Sequence, residues 1–174
     1  MSPVSMTISF LNKIGIQTER GNIPKNSFIP NVAIKNGTIR YNRKSRSSDL
    51  LHEAGHLACV PRKYRALCQG DMGKSLRKIW DIADEAGEII VDSPMYRALI
   101  QCSDPEATAW AWAAGKHMEL PEEEIIENHQ YQETGESLRF ALNAKCYFGI
   151  NGLRAAGMLE HVKSFPTLTK WLQV

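Results

Sequence analysis

Along most of this chain apolar side chains return every three or four residues, the spacing of a helix with one face turned inward. Ile8, Leu11 and Ile14 share a face over residues 5–15, with Gly15 placed to end the helix. Leu50, Leu51, Ala54, Leu57 and Ala58 share another, in a helix with Ser47 or Ser48 as its cap, Asp49 in its first turn and Pro61 stopping it after Val60. Leu76, Trp80, Ala83, Gly87 and Ile90 line one side of a predicted helix from Lys74 to Val91, with Asp81, Glu85 and Glu88 on the other side. A further helix is expected from Ser103 or Asp104 to about Met118, and a short one after Pro121. A final helical pair is expected over Glu136–Cys146 and Gly152–Leu159, about a turn at Phe148-Gly149-Ile150-Asn151.

The period changes to two in one place. Val32 to Lys35 and Thr38 to Tyr41 are β-branched runs separated by Asn36-Gly37, the pair that favours a two-residue type I′ hairpin. Its ordinary role is to cover a core; its functional role would be to pair an edge strand with an extended peptide. Residues 16–31, with Gly21, Pro24 and Pro30, read as irregular chain, and Phe165 to Val174 as a closing strand. The expectation is an α+β fold: one mostly helical domain over residues 1–174, with a small N-terminal antiparallel hairpin or sheet.

What distinguishes the helix at residues 47–60 is its polar side. His52 and His56 lie one turn apart, about 40° from each other around the axis, with Glu53 beside them. This is an H-E-x-x-H stretch: two imidazoles able to reach one Zn²⁺, and a carboxylate placed to take the proton of a metal-bound water. The ordinary alternative is an amphipathic helix whose two histidines happen to be a turn apart.

Composition narrows the picture little. Hydrophobic content of 43% and charged content of 23% are those of a globular chain, and a net charge of +2 does not call for nucleic acid. The basic runs Arg40, Arg43, Lys44, Arg46 and Arg62, Lys63, Arg65 read as solvated loop charge. Cys59, Cys68, Cys102 and Cys146 are scattered, without C-x-x-C. No apolar run is long enough to span a membrane, and Met1 is not followed by a charged start and an apolar run. Free thiols without an export signal predict the cytoplasm.

A catalytic zinc needs a third protein ligand. The metzincin spacing fails, because Cys59 and Arg62 stand at its glycine and histidine positions. Glu85, Glu88, Glu106, His117 and His129 are the downstream candidates. Glu85 and Glu88 fall on a solvent arc. Glu106 sits at a helix start on the arc of Trp110, Ala113 and His117, where a carboxylate needs a partner. It is the preferred ligand. A competing job is open to it: Ser103-Asp104-Pro105-Glu106 reads S-x-x-E, a capping box. If Asp104 is the cap instead, Pro105 takes the first helical position and Glu106 is free. Surface or helix-end roles are expected for His117 and His129.

Taken together, His52-Glu53-Ala54-Gly55-His56, Glu106-Ala107 opening an Ala/aromatic helix, Leu120-Pro121 before an acidic helix start, and Phe148-Gly149-Ile150-Asn151-Gly152-Leu153-Arg154 resemble the ImmA/IrrE-type metallopeptidases over roughly residues 32–160. The stretch Lys74–Cys102 matches nothing specific in that pattern. Thr108 stands where asparagine is usual, Trp110 and Trp112 replace phenylalanine, and the proline falls about one turn late. The resemblance implies a hairpin or small sheet beside a zincin-like helix, with His52, His56 and Glu106 as zinc ligands and Glu53 as catalytic base. It also implies a protein or peptide substrate, in that family a regulatory protein. The rival from another class is a zinc-containing regulatory module that binds protein or DNA without cleaving. Its helical C-terminal pair offers only Arg139, Lys145 and Arg154 to phosphates, which argues against nucleic acid. Tyr41, Tyr64, Tyr131, His129 and His161 have suitable chemistry to stabilise an oxyanion.

Overall fold

The computed structural model describes residues 1–25 and 27–174. Helix α1 (Pro3–Ile14) starts on Ser2, whose hydroxyl accepts from the Ser5 N–H, and ends at Gly15 in the left-handed region. Strands β1 (Thr18–Arg20), β2 (Val32–Lys35) and β3 (Thr38–Tyr41) follow. The hairpin forms where Asn36 and Gly37 predict it, both with positive φ (50° and 72°), and pairs Lys35 with Thr38. Strand β1 then adds in parallel to β3, giving the order β1-β3-β2 and leaving β2 at the edge.

Helix α2 (Ser47–Cys59) carries the two histidines. Its N-cap is Arg46, without a side-chain cap bond, rather than Ser47 or Ser48. The Ser48 hydroxyl instead donates to Glu127 (2.8 Å). Beyond Pro61 a 3₁₀ turn over Arg62–Leu67 brings Arg65 back onto the helix end. The Arg65 guanidinium donates to the carbonyls of Leu57 (2.7 Å), Val60 (3.1 Å) and Gln173 (2.9 Å), so one residue of the second basic run closes α2 against the C-terminal tail.

Helix α3 (Met72–Glu85) stops short of the predicted Val91, because Gly87 turns left-handed (φ 70°) behind the Ala86 cap. Helix α4 (Pro94–Ile100) has Ser93 as N-cap and Pro94 at its first position. Helix α5 (Asp104–His117) runs through the centre and is buried on every side from Glu106 to Gly115, with Trp110 and Trp112 among the largest buried side chains. Helices α6 (Glu122–Ile125), α7 (Gln130–Glu133), α8 (Gly135–Asn143) and α9 (Phe148–Ala155) complete the order. The expected turn at residues 148–151 is the start of α9. Its glycines permit contact rather than bending: a Cβ on Gly149 would meet the Pro105 carbonyl, and one on Gly152 would meet the Glu106 carboxylate. The tail after Phe165 forms no strand; it lies over α1 and α5, where the Trp110 indole donates to the Trp171 carbonyl (2.8 Å).

The result is a mostly helical α+β domain around one core that joins α1, the sheet, α2, α5 and α9. Helices α2 and α5 pack against each other extensively, and Gly55 makes their close approach possible. A Cβ there would run into the Ala107 carbonyl. Among the described residues no helix is long and apolar enough to cross a membrane.

Candidate metal centre

Because α2 lies so close to α5, the polar arc of one meets the N-terminus of the other. His52 Nε2 and His56 Nε2 are 3.2 Å apart. Asp104 Oδ1 lies 3.5 Å from the first and 3.2 Å from the second. Donor atoms held at 2.0–2.1 Å around a tetrahedral cation are separated by roughly 3.3–3.4 Å. The three atoms therefore form one face of such a tetrahedron, and a two-imidazole, one-carboxylate donor set suits a divalent metal of the zinc type. The two imidazoles hold the Asp104 carboxyl well below the usual carboxylate range, and its place in the first turn of α5 favours the negative charge further.

The carboxylate at this face is Asp104, not the expected Glu106. The two residues are about 200° apart around a helix, so one first turn cannot aim both at α2. Ser103 is the N-cap, and the Glu106 carboxylate reaches back to accept from the Ser103 N–H (3.1 Å) and hydroxyl (2.7 Å). Buried against Gly152, it occupies the far side of α5. The capping-box alternative describes its position.

Glu53 lies beside the histidines and is buried. Burial pushes its carboxyl up to about 7, against the pull of His52. A cleft of about 320 Å³ opens over His52, Glu53, His56 and Asp104, with Phe28, Met72 and Leu76 on its apolar side. Through Phe28, Gly70 and Asp71 it continues into a groove along Ala33, Ile34 and Lys35 of the edge strand. Gly70 already donates to the Ile34 carbonyl (2.9 Å), so part of that edge is paired by the chain itself.

The other candidates lie elsewhere. Glu88 accepts from the Tyr64 hydroxyl (2.8 Å) and from Lys63, and Glu85 is exposed. His117 ends α5 against the rings of Phe10 and Trp171. His129 lies 3.0 Å from Arg46 Nη1. Among the described residues, none of Tyr41, Tyr64, Tyr131, His129 and His161 lines the cleft. Tyr131 instead meets the back of the site: its hydroxyl is 2.9 Å from His52 Nδ1 and 3.0 Å from Thr108 Oγ1. His56 Nδ1 is buried with no partner among the described residues. Arg139 of the C-terminal pair is buried, donating to the Ile126 carbonyl and the Asn128 side chain (2.6 Å each).

Sequence reasoning missed Asp104 as a ligand candidate because it treated residue 104 only as a cap. The signal was present in Ser103-Asp104-Pro105, where a serine cap leaves the aspartate as the first helical residue. Comparison with known proteins finds no matching family model, no matching curated protein and no matching solved structure.

Proposed function

We propose that this chain is a zinc-dependent metallopeptidase with His52, His56 and Asp104 as ligands and Glu53 as general base. The observation that carries the reading is the triangle of donor atoms at tetrahedral spacing, with a buried carboxylate beside it in an open cleft. Bound there, Zn²⁺ would supply Lewis acidity, drawing the pKa of a water in the cleft toward neutrality and polarising a substrate carbonyl. Glu53 accepts the proton of the attacking water and passes it to the departing amine. Its burial, which raises its basicity, also keeps the exchange away from bulk solvent.

The extension of the cleft into a groove beside β2 supports a protein or peptide as the proposed substrate. The resemblance to the ImmA/IrrE-type enzymes supports a regulatory protein, with Asp104 taking the place that their pattern gives to a glutamate. The proposed compartment is the cytoplasm, in keeping with the four free cysteines.

The test is zinc-loaded protein incubated with a mixture of internally quenched peptides. Wild type is expected to cleave a subset. Glu53→Gln is expected to bind zinc equally well and to lose cleavage by about 10²–10⁴-fold, the range for a missing general base. A Glu53→Gln form that cleaves as fast as wild type would overturn the mechanism.

A further inference from the structure

We infer that Tyr131 is a positioning residue for the metal site: backed by Thr108, its hydroxyl holds His52 in the tautomer that leaves Nε2 free to coordinate. The inference rests on the metal reading above. A neutral imidazole carries one N–H, and the nitrogen that binds a metal must be the other one. The partner of the remote nitrogen fixes the choice and the ring orientation. At His52, Nε2 points into the donor triangle and Nδ1 lies 2.9 Å from the Tyr131 hydroxyl.

A phenol can donate or accept, so that contact alone leaves the tautomer open. Thr108 decides it. Its Oγ1, 3.0 Å away, offers an acceptor for the phenolic proton. The Tyr131 oxygen then accepts from His52 Nδ1–H, and Nε2 keeps its lone pair. Thr108 and Asp104 belong to the same helix, α5, so the orientation of one ligand and the position of another are set from one rigid element.

The segment that delivers Tyr131 is built for the contact. It is tied along α2 at successive positions. Glu127 accepts from Arg46 and Ser48 (2.8 Å each), Gln130 donates to Asp49 (3.1 Å), and Tyr131 meets His52. Tyr131, Gln132 and Glu133 all have positive φ (55°, 60° and 65°), a left-handed run of residues that lack the freedom of glycine. The Thr134 hydroxyl donates to the Tyr131 carbonyl (2.7 Å) and closes that turn.

Competition titration of Zn²⁺ on the full chain against a chromophoric chelator, with the electronic spectrum of the Co²⁺ form, tests the assignment. Tyr131→Phe keeps the ring and is expected to bind Zn²⁺ about 10–100-fold more weakly, with a changed Co²⁺ spectrum and native circular dichroism when metal-free. Thr108→Val is expected to weaken binding by a smaller factor and Thr108→Ser to restore it. The Thr108 pair carries the test if Tyr131→Phe does not fold. Tyr131→Phe binding Zn²⁺ as tightly as wild type, with an unchanged Co²⁺ spectrum, overturns the assignment and leaves the metal reading standing. A wild-type chain that takes up neither Zn²⁺ nor Co²⁺ overturns both.

Discussion

Two carboxylates two residues apart, Asp104 and Glu106, have opposite tasks, and the difference is one of angle rather than chemistry. Asp104 faces α2 and completes the donor triangle, whereas Glu106 turns back on the cap and is shielded by Gly152. Asp104→Ala is therefore expected to weaken Zn²⁺ binding by more than the roughly 10–100-fold typical of losing an outer partner. Being exposed, its loss should leave the metal-free fold intact. Glu106→Ala should do the reverse. It removes the charged acceptor of the Ser103 N–H and hydroxyl at the α5 cap and is expected to cost about 0.5–2 kcal/mol in chemical denaturation, with Zn²⁺ affinity unchanged. Isothermal titration and urea unfolding of the two variants separate the roles. The sequence contained both candidates for the helix cap but not the choice between them. Ser103 and Asp104 are both good caps, and choosing one rotates the following carboxylates by a whole face. The histidine pair was legible because its geometry lies within one helix; the third ligand depends on how a second helix is started and docked.

At the level of elements, the close approach of α2 to α5 governs the site. Gly55 sits at their crossing, where a Cβ would meet backbone, the carbonyl of Ala107. Gly55→Ala would gain up to about 1 kcal/mol of helix propensity. Overpacking against backbone costs about 1–3 kcal/mol or more, because no side chain can swing aside. A net loss of stability is expected, accompanied by weaker Zn²⁺ binding, since pushing the helices apart separates His52 and His56 from Asp104. A stability equal to wild type in thermal melts would contradict this. The same contrast of local and non-local signals explains which elements could be read in advance. The Asn36-Gly37 hairpin carries its own turn chemistry, and Ser93-Pro94 carries the start of α4. Strand β1 has no comparable signature: three residues, two of them exposed, are held by pairing with β3 some twenty positions away. Gly149 and Gly152 look like turn residues, yet they serve the packing of α9 on α5, a purpose that only the neighbouring helix reveals.

For the molecule as a whole, the donor atoms come from two elements that the core already joins, so a bound metal adds a second link between α2 and α5 near the surface. Linkage gives the size of its effect. A ligand that binds only the folded chain stabilises it by about 2.7 kcal/mol at a free concentration of 100 Kd. For a domain of this size each kcal/mol moves Tm by about 2–4 °C, so saturating Zn²⁺ is expected to raise Tm by roughly 5–10 °C. The shift should disappear in Asp104→Ala and persist in Glu106→Ala, whose baseline Tm is lower. It should also shrink as the solution is acidified, because protons and metal compete for the same imidazole nitrogens. Differential scanning calorimetry of the three proteins, with and without Zn²⁺ at neutral and at acidic pH, gives all of these readings. A shift that survives Asp104→Ala would mean that the cation is held by other donors, and the triangle between α2 and α5 would no longer account for it.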